Sequence, residues 1–465
     1  VSRHDAQHRT PPPPAPGIPD AAGTAQAPNA PGTTDTPDTP DTPDIFDPRL
    51  YASGTPHDRY RILRDHHPVA WQGEPAVLGW PAGPGFWAVT RHADVVRVLK
   101  DAATYSSYLG ATQIRDPAPD DLPFIRRMML NQDPATAATA PAAGRGDHGR
   151  LRRLVSRAFT PRLVARFEAR VRGRARTLIA SALAQARAGD GTFDVVTAVT
   201  DDYALLNLAD LLGVPPADRG LLLHWTQRVI GYQDPDEAPP PVLGPDGEPV
   251  NPRSPAMLRD MFAYARTLAA HKRDHPGDDV LTILAHDPEL TTAELEMFFF
   301  LLTVAGNDTV RSAAPGGLLA LAESPGEYER LRAGTVDVGT AVDELLRRHP
   351  PVLSFRRTAA RDTVLAGTRV AAGDKVVVFH ASAHHDERVF TDPHRLDLSR
   401  SPNPHVAFGE GPHVCLGAHF ARLQLRVFHE EVARALPVLR LAAPPRRLVS
   451  HFINGLKSVR VEAPA

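Results

Sequence analysis

One cysteine, Cys415, occurs among 465 residues, within the stretch 405–422, HVAFGEGPHVCLGAHFAR. Gly409, Gly411 and Gly417 surround it, and an amphipathic helical pattern begins just after it. Glycine there admits positive φ and lets a flat ligand approach the backbone closely. A helix start beside the sulfur offers free N–H groups and a positive dipole end, both of which favour thiolate. A thiolate in such a loop can be a nucleophile, a redox sensor or a metal ligand. With no second cysteine a disulfide or a Cys-rich zinc site is excluded, and a soft anionic ligand suited to iron remains.

Three further sets of residues could take part in chemistry. Ala305-Gly306-Asn307-Asp308-Thr309 follows the apolar run FFFLLTV, so an acid and an alcohol stand side by side in a helix that otherwise reads as buried. Such a pair is costly unless it bonds to something. Threonine bonded back to its own helix is the alternative reading. Glu344 and Arg347 fall at i and i+3 on one helical face. His148 and Arg152 fall at i and i+4 on another, with Arg357 and His413 as further cationic candidates.

The order Phe408-Gly409-x-Gly411-x-His413-x-Cys415-x-Gly417 resembles the haem-binding signature of the cytochrome P450 family. That resemblance extends over residues 47–461. It implies haem b with Cys415 as axial thiolate, and Phe408, Gly409, Ala305 and Gly306 beside the ring. It implies His148, Arg152, Arg357 and His413 at the propionates. Asp308 and Thr309 match the motif that relays protons during oxygen activation. Glu344 and Arg347 match a buried ion pair that supports the cysteine loop, and Arg395 is expected to join it. The chain departs from the family before His148, where ATAATAPAAGRG separates Asp133-Pro134 from Asp147. Segments 129–131, 403–406 and 452–457 resemble bacterial members that oxidise sterols, terpenes or branched lipids.

These residues need a scaffold, and the pattern predicts a mostly α domain with a minor β-sheet over residues 45–465. Residues 1–44, with PPPP and DTPDTPDTPD, read as a disordered tail. Helices are expected over 55–67 (Thr55 capping, Pro56 first), 91–100, 148–159, 161–188, 201–212, 217–231, 255–274, 291–322 and 339–348. Strands are expected over 69–72, 86–89, 352–358, 363–365 and 375–379. The segment 101–147 and the loop 233–252 are irregular, and the loop joins two helices as a lid would. A substrate pocket is expected from residues 101–147, the flanks of 233–252, 299–305, 352–355 and 452–453.

A net charge of −2 gives no reason to expect nucleic acid or an anionic membrane as partner. No apolar run approaches the length needed to span a bilayer, and the single cysteine fits a reducing compartment, so a cytoplasmic location is expected. No flavin or iron–sulfur motif is present, so ferredoxin and ferredoxin reductase are the expected electron donors. Arg150, Arg153, Arg422 and Arg426 are expected to form a basic patch for that partner. The resemblance implies insertion of one oxygen atom into a hydrophobic small molecule. Use of peroxide is an alternative that intact Asp308-Thr309 disfavours, as it does a module that binds haem without oxidising.

Overall fold

At several helices the start is set by a side chain that satisfies a free N–H group. In the computed structural model Thr291 accepts from the Glu294 N–H while the Glu294 carboxylate returns to the Thr291 N–H, and a 31-residue helix follows. Asp279, Asp337 and Thr160 cap three more helices, each side chain accepting from a backbone N–H without the return bond. Gly213, at φ 74°, ends another in the left-handed conformation. The structure describes residues 42–78, 80–134, 148–230, 254–464 and, between them, Asp234, Asp236 and Val250. Residues 1–41, the insertion before His148 and most of the loop 233–252 lie outside the described residues.

The helices in chain order are α1 (His57–His66), α2 (His92–Lys100), α3 (Leu122–Ile125), α4 (His148–Ser156), α5 (Pro161–Ala165), α6 (Glu168–Ala188), α7 (Asp201–Leu212) and α8 (Arg219–Ile230). They continue with α9 (Arg259–Asp274), α10 (Val280–Ala285), α11 (Thr292–Ala322), α12 (Pro325–Arg332), α13 (Val338–Arg348), α14 (His380–Ala383) and α15 (Ala418–Ala435). Strands β1 (Val69–Gln72), β2 (Phe86–Val89), β3 (Tyr105–Ser106), β4 (Thr192–Asp194), β5 (Ser354–Ala359), β6 (Thr363–Leu365), β7 (Thr368–Val370) and β8 (Lys375–Phe379) precede β9 (Arg446–Arg447), β10 (Leu456–Ser458) and β11 (Arg460–Glu462). The five-stranded sheet runs β1-β2-β8-β5-β3; β2 and β8 are parallel, and its other neighbours are antiparallel.

The main core lies among α4–α13 and α15, and α11 runs through it. Phe299 packs edge-on to Trp225 and against Tyr264, and Phe300 meets Phe262. Both phenylalanines are therefore core residues of α11, not pocket lining as residues 299–305 were expected to be. The pattern predicts one helix over 161–188, but Arg166 and Phe167 interrupt it. Thr55 does not cap α1: Pro56 occupies the cap and no side chain satisfies it. The Pro43 and Asp44 carbonyls accept bonds from Gln72 and Arg59, which ties residues 43 and 44 to β1 and α1.

Candidate active site

The cysteine loop is shaped by two glycines in left-handed backbone, Gly409 at φ 73° and Gly411 at φ 69°. A Cβ on Gly411 would lie 2.8 Å from the Leu99 carbonyl oxygen, so α2 fixes that position as glycine. The Cys415 N–H donates to the Phe408 carbonyl at 2.8 Å and closes the loop, and α15 begins three residues beyond the sulfur. The residue is exposed, yet enough protein surrounds its sulfur that desolvation raises the thiol pKa. The Gly417 N–H and the Arg152 and Arg422 guanidinia act in the opposite direction without overcoming it. The expected push towards thiolate is present, but the polypeptide alone does not complete it. Arg422 also covers the Phe408 ring at 4.4 Å.

A buried relay carries the loop. Arg347 and Glu344 are fully buried and bonded twice, at 2.7 and 2.8 Å. The same guanidinium donates to the carbonyls of His384 and Pro393. His384 pairs through Nδ1 with the Arg347 carbonyl, and its Nε2 accepts from the Val406 N–H at 2.9 Å. A helix residue thus reaches the first residues of the cysteine loop in two steps. Arg395 does not supply the expected third charge: it offers only its carbonyl to Arg347. Arg400 takes that place, its Nε 3.1 and 3.2 Å from the Glu344 oxygens.

Four cationic or potentially cationic side chains have no carboxylate in an ion pair with them among the described residues. His148 and His413 stand with ring centroids 4.4 Å apart, and the His148 Nε2 is buried without a partner. Burial pushes His148 down to about 4 and His413 to about 2, so both rings are neutral at neutral pH. Arg357 is buried, and among the described residues its guanidinium donates only to the adjacent Arg356 carbonyl; burial lowers it to about 10. Burial also lowers Arg152. Among the described residues no carboxylate forms an ion pair with either Arg152 or Arg357. Asp133 lies within electrostatic reach of Arg357, but its oxygens hold Ser106 and the Ser107 and Tyr108 amides. It is thereby an organiser of the loop after β3, whose Ser107 hydroxyl lies 3.4 Å from His413.

On α11, Leu301, Ala305 and Thr309 repeat at i, i+4 and i+8 as an incompletely buried stripe on a core helix. The Thr309 hydroxyl donates to the Ala305 carbonyl at 2.8 Å. Its one proton is therefore used within the helix, and its lone pairs remain as acceptors. Asp308 points the other way: it is buried, accepts only from Asn307, and has one oxygen without a partner. Burial pushes it up to about 7, against Arg311, which lowers it. A Cβ on Gly306 would strike Leu208 at 2.7 Å, so this glycine admits α7.

Chemically, a Gly-shaped loop presents one sulfur near unpaired cations, and a separate helix holds a half-ionised acid and an alcohol. The cytochrome P450 family profile matches residues 338–440, from α13 past the cysteine loop. A steroid C26-monooxygenase of Mycobacterium tuberculosis is 36% identical over 425 residues, covering 90% of this chain and 91% of its own. A methyl-branched lipid omega-hydroxylase of the same organism is 38% identical over 408 residues, covering 86% and 90%. The structure of a Mycobacterium marinum cytochrome P450 in complex with pseudoionone superposes with TM-score 0.73 at 36% identity, covering 89% of this chain and 97% of that one. The chain belongs to the cytochrome P450 family. It is a monooxygenase of hydrophobic substrates, and among the described residues no helix is long and apolar enough to cross a membrane.

Proposed function

We propose that Cys415 is the axial ligand of haem b and that the protein hydroxylates or epoxidises a lipid-class hydrophobe. Support for the site comes foremost from one observation: His148, Arg152, Arg357 and His413 include two arginines without a carboxylate partner among the described residues and an orphaned imidazole nitrogen, near a lone sulfur. Two propionates would supply the missing acceptors. When bound, the group supplies a metal that holds the sulfur as thiolate, together with the oxidising chemistry. Gly409 and Phe408 would leave room beside the ring, and the exposed Ala305 would face it.

The chain's own residues then have defined tasks. Asp308, near half-protonation at neutral pH, can hold or release a proton at its unpartnered oxygen. Thr309 can accept a hydrogen bond at its hydroxyl oxygen and order water there. The apolar stripe through Leu301 positions a hydrophobe and excludes bulk water. A steroid or methyl-branched lipid is the substrate class, since both M. tuberculosis relatives act on such molecules. Electrons arrive from a ferredoxin and its reductase, the type of donor that bacterial relatives typically use.

The test is the reduced carbon monoxide difference spectrum. The wild type is expected to give the red-shifted band of thiolate ligation and Cys415→Ala to lose it. Retention of that band would exclude Cys415 as the ligand.

A further inference from the structure

Away from this site, three histidines from separate segments converge. His57 opens α1, His385 follows α14, and His394 lies in the turns leading towards the cysteine loop. One nitrogen from each ring lies within 4.8 Å of the others, and among the described residues this is the one group of metal-ligating side chains so arranged. The His57 and His385 rings are 4.0 Å apart at their centroids, and His394 is 5.0–5.4 Å from both. His385 is buried, His57 half-buried and His394 exposed, which leaves an entry path from solvent.

The nitrogens are suited to ligation. The His57 Nδ1 is buried and has no hydrogen-bond partner. His385 is oriented through Nδ1 by the Ala381 carbonyl at 3.0 Å, the usual second contact of a metal-binding imidazole, and its Nε2 keeps the lone pair. The opposing group is Arg348, which donates to the His385 Nε2 at 2.8 Å and whose own Nε is buried without a partner. Arg64 and Arg347 add positive charge near the rings, while Glu387 acts on His394 and Glu323 on Arg348 in the opposite sense.

We propose that His57, His385 and His394 bind one divalent ion of the zinc class, with Arg348 swinging aside and water completing the coordination. Three imidazoles and an open position suit Zn²⁺. The site would brace the same backbone that Arg347 holds, because Arg347 donates to the carbonyls of His384 and Pro393, each next to a ligand in sequence. Zinc would tie α1 to that scaffold.

The experiment uses haem-loaded protein carrying His271→Ala, which removes the exposed stacked pair His271 and His275 as a competing surface site. Zinc and iron are counted by atomic emission after dialysis against buffered Zn²⁺, and melting is followed in parallel. One zinc per iron and a raised Tm are expected. His394→Ala, at an exposed position, should weaken binding at least tenfold without changing haem content. Arg348→Gln, which removes the competing donor and charge, should tighten it, a result that mere packing of the three rings would not give. No zinc uptake by the parent, or equal uptake in His394→Ala, would overturn the proposal.

Discussion

At the scale of single residues, Asp308 is the clearest case of environment setting chemistry. An ordinary aspartate is ionised at neutral pH, but burial raises this one to about 7. The folded state therefore binds more protons than the unfolded state between pH ~4 and ~7, so stability falls as pH rises through that window. Above pH 7 a shift of about three units corresponds to a cost on the order of 4 kcal/mol at most. Asp308→Asn removes that cost. The variant is expected to melt higher than wild type at pH 8, with the advantage gone near pH 4. It should also lower product formed per electron pair consumed, since an amide cannot release a proton there. An equal difference in Tm at pH 5 and pH 8 would show that Asp308 does not titrate in this range. The Asp-Thr pair itself was legible from sequence because polar neighbours in an apolar helix are costly. The direction each side chain takes was not: Thr309 bonds its own helix, and Gly306 serves α7.

At the scale of elements, the cysteine loop depends on α13 through Arg347. This guanidinium satisfies a buried carboxylate and two buried carbonyls at once, and His384 passes its position on to Val406. Arg347→Ala would leave Glu344 with Arg400 as its only cation and strip both carbonyls of a donor. Breaking a buried pair by removing one partner costs roughly 3–5 kcal/mol. Arg400→Ala removes the less buried cation and leaves the bidentate pair intact, so roughly 1–3 kcal/mol is expected. Accordingly, Arg347→Ala should fail to retain haem under conditions where Arg400→Ala retains it with the thiolate carbon monoxide band unchanged. Equal haem loss in both would locate the support at Glu344 alone. The spacing of Glu344 and Arg347 was legible as one face of a helix. The third partner was not, because Arg395 and Arg400 follow a run of turns in which periodicity carries no information. For the same reason Thr55 looked like a cap: the residue type suited the role, and only the backbone shows that α1 starts after Pro56.

At the scale of the whole molecule, the fold class and the long helices were readable because α11, α6 and α15 carry sustained patterns. The small strands β3, β4 and β9–β11 were not, since two or three residues hold no period. Charge is the feature that sequence represented least well. Four arginines were expected to form an electropositive face, but three of them have carboxylates: Arg150 pairs with Glu294, Arg422 with Asp343, and Arg426 with Glu168 and Glu430. Arg153, exposed on the helix that bears His148 and Arg152, forms no ion pair among the described residues. A paired arginine contributes little to the long-range field that steers an acidic partner, whereas an unpaired one contributes its full charge. Reversing Arg422 would also set a second negative charge against Asp343 and leave it with His405 alone among the described residues, so the original basic face is a poor test of docking. Arg153→Glu alone is the sharper one. With an acidic ferredoxin at low ionic strength it should slow first-electron transfer roughly threefold to tenfold. The difference should shrink as salt shortens the screening length towards ~3 Å. Substrate affinity and Tm should not change, since the side chain is exposed and forms no hydrogen bond or ion pair among the described residues. A rate equal to wild type at low salt would place ferredoxin docking on another face, and a rate reduced equally at all salt concentrations would show that Arg153 acts at contact and not by steering.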